Sequence, residues 1–319
     1  MSQLKGTPFE LDNRRFVCIF NPIAGKNSTK RAFKKVISSV CEVPNSEVFI
    51  ARDGEFPVVR ENDVLGICGG DGTLHITLTN LLNRDENANL PYILHLRGGS
   101  MNTVASSVGL KDSVDTIIKK FLAGEGSVVR KRALQIYNNK TKQYGFIFGL
   151  GLFTNFLDFY YSDLSVMNAK LKLSGPPKAL ITLMTAISDA FRNKIDRFFR
   201  KVALNVIVDG ERVKFDEFVA IGISTVRSLG LNFNAFFRAD SSQDKFHTVL
   251  LDANPLEIFL NLPSLYKGKV MPFGKEFEKL SQKVVIESKS EIKYTIDGDI
   301  YSSDFIEVTR GPLVNLIIF

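Results

Sequence analysis

The apolar run Val64-Leu65-Gly66-Ile67-Cys68 ends in Gly69-Gly70-Asp71-Gly72-Thr73, and Leu74, Leu78, Leu81 and Leu82 follow along an amphipathic run. That order leaves the chain little choice: a buried strand, a glycine turn, then a helix. Glycines let the backbone approach an anion closely, and the helix presents its free N–H groups and positive dipole end at the same place. The turn therefore reads as a phosphate site. Asp71 suits a magnesium ion shared with such a phosphate, because Mg²⁺ takes oxygen ligands and commonly one or two carboxylates. Taken alone, the same residues also describe an ordinary strand-to-helix turn with Asp71 as N-cap.

Two further loops repeat the pattern. Asn21-Pro22-Ile23-Ala24-Gly25-Lys26 follows the strand-like Phe16-Val17-Cys18-Ile19-Phe20 and precedes apolar positions Ala32, Phe33, Val36, Ile37 and Val40 at helical spacing. Gly98-Gly99-Ser100-Met101-Asn102-Thr103-Val104-Ala105 follows Tyr92-Ile93-Leu94-His95-Leu96 and starts a third helix. Three glycine-bearing loops at three strand ends belong on the carboxyl edge of a parallel sheet, where open α/β sheets bind ligands. Lys26 is positioned to meet a phosphate as a point charge.

In this order the motifs N-P-x-x-G, G-G-D-G-T and G-G-S-x-N-x-x-A resemble the nucleotide-binding half of the diacylglycerol kinase catalytic family, which includes sphingosine, ceramide and bacterial lipid kinases. The resemblance continues to Asp297-Gly298-Asp299, similar to a D-G-E catalytic segment, and to residues 240–246, similar to a D-G-x-L metal loop with Asp244 as its acid. NAD kinases share G-G-D-G-T. The resemblance implies an α/β plus all-β protein: an N-terminal three-layer α/β nucleotide-binding domain over residues 1–124, and a C-terminal antiparallel β-sandwich lipid-substrate domain over 125–319. It implies ATP and Mg²⁺, with the nucleotide held by Asn21, Pro22, Gly25, Lys26, Gly69, Gly70, Asp71, Gly72, Thr73, Gly99, Ser100 and Asn102. Asp299 and Asp297 are the catalytic acids, joined by Asp71, and Asp71 and Asp244 the metal ligands. The third position of D-G-E is the proton acceptor in similar kinases; here it is Asp299, one methylene shorter. The acid that follows G-G-D-G-T-x-x is replaced by Ile76, and the glycine of the metal loop by Lys245.

A chain of 319 residues, 45% of them apolar, supports a sizeable core and favours two domains. Strand and helix alternate from residue 14 to 123, which argues a parallel sheet covered on both faces. From Ser127 the chain becomes a succession of β runs with hairpin signals at Asn138-Asn139-Lys140 and Asp209-Gly210. Between residues 152 and 200 a helical insertion interrupts them. Its helix, from Lys178 to about Arg200, carries an apolar stripe of Leu180, Leu183, Met184, Ile187, Phe191 and Ile195, with Arg192, Lys194 and Arg197 at its end. The stripe either packs on the β core or faces an acyl chain or bilayer, with the cations meeting headgroups.

The net charge of +7 falls in clusters and comes without a base-stacking signature, so an anionic membrane surface fits it better than nucleic acid. No apolar run reaches the length of a membrane span, and the N-terminus lacks a signal-peptide core. A cytoplasmic, peripherally membrane-associated protein is expected. Cys18, Cys41 and Cys68 lack metal-ligand spacing and read as reduced core residues. The leading function is ATP- and Mg²⁺-dependent phosphorylation of a lipid hydroxyl. The alternatives are a NAD kinase and a nucleotide- or lipid-binding pseudokinase weakened at Ile76 and Lys245. The oligomeric state is unreadable.

Overall fold

The computed structural model describes residues 6–25, 30–51, 56–84, 89–161, 175–192, 194, 197–230, 233–269 and 275–319. They form two compact units, residues 1–132 with 313–319, and residues 133–312.

The first unit is a parallel sheet. Strand Phe16–Phe20 lies between Ser46–Ile50 and Val64–Gly69, Tyr92–Arg97 follows, and the chain's last strand pairs beyond it through Asn315 and Leu316 against Tyr92 and Ile93. The inner strands Phe16–Phe20 and Val64–Gly69 are continuous buried runs because helices cover both faces, whereas Ser46–Ile50 at the edge is partly exposed. Phe16, Phe20, Leu94 and Leu96 turn to one face and pack with Val36 and Val40 of helix Lys30–Val40 and Ile117, Ile118 and Phe121 of helix Val114–Leu122. Alternate residues such as Leu65 and Ile67 face the other way, where helix Asp71–Arg84 buries Leu74, Leu78 and Leu82.

Two features of this unit depart from the sequence boundary at residue 124. Strand Ser127–Tyr137 begins by pairing with Thr7–Pro8, which keeps its first residues in the N-terminal unit. The end of the last strand, from residue 313, also belongs there, with Ile317 buried in the same core and Phe319 packed against it. Cys18 and Cys68 are buried as expected, whereas Cys41 is exposed just past its helix.

The second unit is antiparallel. Strand Ile147–Gly151 lies between Ala220–Ser224 and Lys283–Ile296; Phe246–Leu251 and Glu276–Ser281 extend the first side, and Asp299–Ile318 the other. The runs 283–288 and 291–296 are one strand with a register shift between Glu287 and Ile292, and its first half pairs with Asn205–Val208. Phe148, Leu150, Val206, Ile221, Phe246, Ile286, Tyr294 and Ile306 close the core between the faces. Asp209-Gly210 and Asp297-Gly298 are two-residue hairpin turns with positive φ at both positions, the I′ geometry whose twist matches its strands. Among the described residues no helix is long and apolar enough to cross a membrane.

The helical insertion differs from expectation. Residues 152–161 form a helix, and the next described helix runs Pro176–Phe191, capped by Arg192 rather than continuing to about Arg200. It buries its small side chains, Ala179, Thr182, Ala186 and Ala190, and leaves Leu180, Met184 and Phe191 outside. Ile195 lies outside the described residues.

Because Ile317 sits in the first core, Ile317→Ala should cost about 2–5 kcal/mol, read as a lower urea midpoint for the N-terminal unit. A change below about 0.5 kcal/mol, the size of an ordinary surface substitution, would contradict the assignment of the last strand to that unit.

Candidate active site

All three glycine loops stand at the carboxyl ends of parallel strands of the first unit, and backbone bonds draw them together. The Asn21 N–H donates to the Cys68 carbonyl (3.0 Å), and the Gly98 and Gly99 N–H groups both donate to the Gly69 carbonyl (2.9 and 3.0 Å). Gly70 and Gly99 meet backbone to backbone. A Cβ on Gly99 would overlap the Gly70 Cα, and one on Gly25 would overlap the Ser100 hydroxyl. Only glycine permits these approaches, and they leave N–H-bearing backbone lining the loops instead of side chains.

Side chains then lock the arrangement. Asn21 Nδ2 donates to Thr73 Oγ1 (2.9 Å), and its Oδ1 accepts from the Ile23 N–H (3.1 Å), so one amide ties the first loop to the first turn of helix Asp71–Arg84. Asn102, 1% exposed and left-handed at φ 51°, turns its amide onto Gly99, accepting from its N–H (3.0 Å) and donating to its carbonyl (2.8 Å). That conformation withdraws Asn102 from capping its own helix, Thr103–Ser107. Asp71 supplies the cap instead: its two carboxylate oxygens accept from the Thr103 N–H (2.6 Å) and the Val104 N–H (3.0 Å). Charge-assisted bonds at a helix N-terminus are among the stronger ones available.

The sequence thus brings Asn21, Gly25, Gly69, Gly70, Asp71, Thr73, Gly99, Ser100 and Asn102 to one sheet edge. Pro22 lies in the first loop and Gly72 in the first turn of helix Asp71–Arg84, while Lys26 lies outside the described residues. Ile76 is 50% exposed on that helix, so the position usually acidic in similar kinases presents a hydrocarbon to solvent. The Arg97 guanidinium is occupied by the Lys111 and Asp112 carbonyls. His95 was not anticipated from the sequence. It is buried behind the loops with Nε2 3.3 Å from the Gly69 carbonyl; burial lowers its pKa, and Asp71 only partly opposes that.

In the second unit the two acids of Asp297-Gly298-Asp299 separate in role. Asp297 is buried at the turn, and its carboxylate accepts from the Phe146 N–H (3.0 Å) and the Ile147 N–H (2.8 Å), where strands Lys142–Gly145 and Ile147–Gly151 part. Asp299 is half-buried at the start of its strand. Tyr301, two residues on and so on the same side, has its phenol pushed far up by burial, with Asp299 the largest charged contributor. The sequence reading passed over Tyr301 and the neighbouring buried Tyr294, whose hydroxyl bonds Gln143 and Asn138. Asn155 donates to the Phe198 carbonyl (3.0 Å) and Asp158 pairs with Lys293 (2.7 Å). At the suggested metal loop Asp244 faces Arg310 (4.0 Å) and Asp240 faces Arg227 (3.9 Å). Among the described residues no three His, Cys, Asp or Glu side chains gather.

Adding one methyl at the loop contact, Gly99→Ala, is expected to cost about 1–3 kcal/mol and to weaken nucleotide binding together with the urea midpoint. The buried histidine gives a pH signature. With its folded pKa below 6.5, the unfolded chain binds more protons between that value and 6.5, so stability is full above 6.5 and is lost as pH falls through this window. Melting temperatures from pH 7.5 to 5.5 should drop more steeply for the parent than for His95→Gln. Parallel curves would show that His95 does not carry the effect.

Residues 15–131 match the sequence model described as the diacylglycerol kinase catalytic domain. No curated protein matches the chain by sequence. Among solved structures, a Bacillus anthracis str. Sterne protein assigned as a diacylglycerol kinase superposes at a TM-score of 0.68 and 15% identity, over 96% of this chain and 98% of that one. A second structure described as a diacylglycerol kinase from the same organism gives 0.61 at 12%, over 96% and 97%. Yeast NADH kinase complexed with NADH gives 0.52 at 11%, over 97% and 84%. At such identities these likenesses establish the fold, an α/β unit followed by an antiparallel β unit. The sequence match places the likeness to the diacylglycerol kinase catalytic domain in residues 15–131.

Proposed function

We propose that the protein is an ATP-dependent kinase that transfers the γ-phosphate to a hydroxyl of a diacylglycerol, sphingoid or related lipid. The observation that carries this reading is the backbone contact of Gly70 with Gly99, which leaves a cradle free of side chains beside the N-terminus of helix Asp71–Arg84, between loops clamped by Asn21, Asn102 and Asp71. Such a cradle fits nucleotide phosphates, and phosphoryl transfer is largely positioning and charge stabilisation.

Asp71 is the residue that would hold Mg²⁺. Each of its oxygens accepts one N–H, and a carboxylate has about four lone-pair sites, so capacity remains for a cation bound through one carboxylate and substrate oxygens. When bound, the ion would neutralise charge developing on the phosphates. Asp244 lies 4.0 Å from Arg310, and among the described residues no group of three metal-ligating side chains includes it, so this reading rests the cation on Asp71 alone.

For the base, Asp299 is favoured over Asp297. The Asp297 carboxylate fastens the hairpin to the Phe146 and Ile147 N–H groups, whereas Asp299 precedes Tyr301, whose phenol stays protonated and can act only as donor or neutral acceptor near it. Asp299 would take the hydroxyl proton as the oxygen attacks the γ-phosphorus and the bond to the β-phosphate oxygen breaks. A NAD kinase remains the second reading, favoured by the fold shared with yeast NADH kinase.

The test is transfer of labelled γ-phosphate from ATP and Mg²⁺ to diacylglycerol, monoacylglycerol, ceramide and sphingosine in mixed micelles, with NAD and NADH in parallel. Label in the organic phase is expected. Asp299→Asn should lower turnover about 10²–10⁴-fold, the usual worth of a general base, with the melting temperature kept; Asp297→Asn should lower the melting temperature as well. Label in NAD or NADH alone would overturn the lipid reading, and an active Asp299→Asn the assignment of the base.

A further inference from the structure

The helical insertion presents its large apolar side chains to solvent. On helix Pro176–Phe191 the buried positions are small, and Leu180, Met184 and Phe191 stand outside at 52%, 58% and 63% exposure. Spaced by four and seven residues, they form one line along the helix. Helix Pro255–Leu260 buries Pro255 and Ile258 and leaves Leu256 and Leu260 exposed at 47% and 66%. The Phe191 and Phe259 rings meet edge to face at 4.6 Å and join the two helices. Single exposed apolar residues are ordinary, but a row of five across two packed helices is not.

Charge decides what can cover this row. Arg192 and Lys194 follow Phe191 directly, and Lys267 and Lys269 follow the exposed Tyr266 on helix Leu262–Lys267; all four cations are exposed. The described acids of these elements are directed elsewhere. Asp189 is buried facing Arg197 (3.7 Å), and Glu257 is spent in the capping box with Asn254. An apolar row edged by cations and a tyrosine matches the interfacial zone of a membrane carrying negative lipids. A second copy matches poorly, since a twofold contact would set the same cationic edge against itself.

We infer that the exposed face formed by helices Pro176–Phe191 and Pro255–Leu260 docks the protein on the surface of an anionic phospholipid bilayer, with Leu180, Met184, Phe191, Leu256 and Leu260 inserting among the acyl chains. The docking deepens the proposed lipid kinase reading, because it brings the enzyme to a substrate dissolved in the bilayer. Its vesicle-binding test does not depend on turnover.

The full chain is sedimented with vesicles of phosphatidylcholine alone or mixed with phosphatidylglycerol, and its oligomeric state without lipid is read by light scattering. Binding to the mixed vesicles is expected. Leu260→Glu and Met184→Glu should each weaken it about tenfold or more, the worth of one large aliphatic side chain leaving an apolar phase. Arg192→Glu with Lys194→Glu should weaken it by at least about fivefold per cation, on anionic vesicles only, and melting curves confirm that each variant folds. Unchanged binding by the folded variants overturns the inference. So does a parent dimer that Leu260→Glu converts to a monomer without loss of vesicle binding. Leu256→Glu should keep phosphotransfer to a micellar substrate while losing it on vesicles. Vesicle binding by a chain that phosphorylates no lipid would keep the docking and sink the proposed reaction, so the two failures are distinct.

Discussion

The contact between the Gly70 and Gly99 backbones is the constraint on which the N-terminal unit depends. Two loops from different strand ends can approach that closely only if neither has a side chain, and the approach hands the Gly98 and Gly99 N–H groups to one carbonyl, Gly69. Close contact alone would not hold them, since glycine is also the residue with most freedom to leave. Three polar side chains remove that freedom. Asn21 ties the first loop to Thr73, Asn102 folds over Gly99, and Asp71 bonds the start of the next helix. The Asn21 and Asp71 ties span elements distant in sequence, so the cradle exists only when the neighbouring strands are paired.

The alternation of strands and helices over residues 14–123 was legible in the sequence because fully buried strands read as apolar runs and glycine loops punctuate them. The three loops were legible for the same reason. Their internal wiring was not. Nothing local distinguishes an Asn102 that meets a ligand from one that turns onto Gly99, because its left-handed backbone is imposed by the loop's path. His95 sat unread inside an apolar run, although a lone histidine in a buried strand must find a polar partner or stay neutral; here the Gly69 carbonyl and burial do both.

The unit boundary shows a different limit. Ala123-Gly124-Glu125-Gly126 has the composition of a hinge, and Gly124 does take positive φ past the helix end. Yet the next strand is held by Thr7–Pro8, and the last strand by Tyr92 and Ile93. Composition reports local flexibility, whereas domain membership is set by which strands pair. The insertion helix fails for a related reason. Periodicity found the stripe of Leu180, Leu183, Met184, Ile187, Phe191 and Ile195 but could not say that the alanines would be the ones buried, with Leu180, Met184 and Phe191 left outside. Small residues allow close helix approach, and packing of Ala186 and Ala190 in their core, with Ala179 buried beside them on the same helix, leaves the larger side chains outward.

The same logic explains how this chain can carry Ile76 where similar kinases carry an acid. Asp71 is anchored by two backbone donors on another helix, so its replacement would release the third loop as well as any cation it holds. Position 76 bears no such load. Helix Asp71–Arg84 is fixed by Leu74, Leu78 and Leu82 on its buried face, and Ile76 lies half in solvent away from them. Exchanging an acid for isoleucine there leaves the cradle's hydrogen bonds untouched and changes only the charge near it. The cradle is thereby structurally independent of that charge.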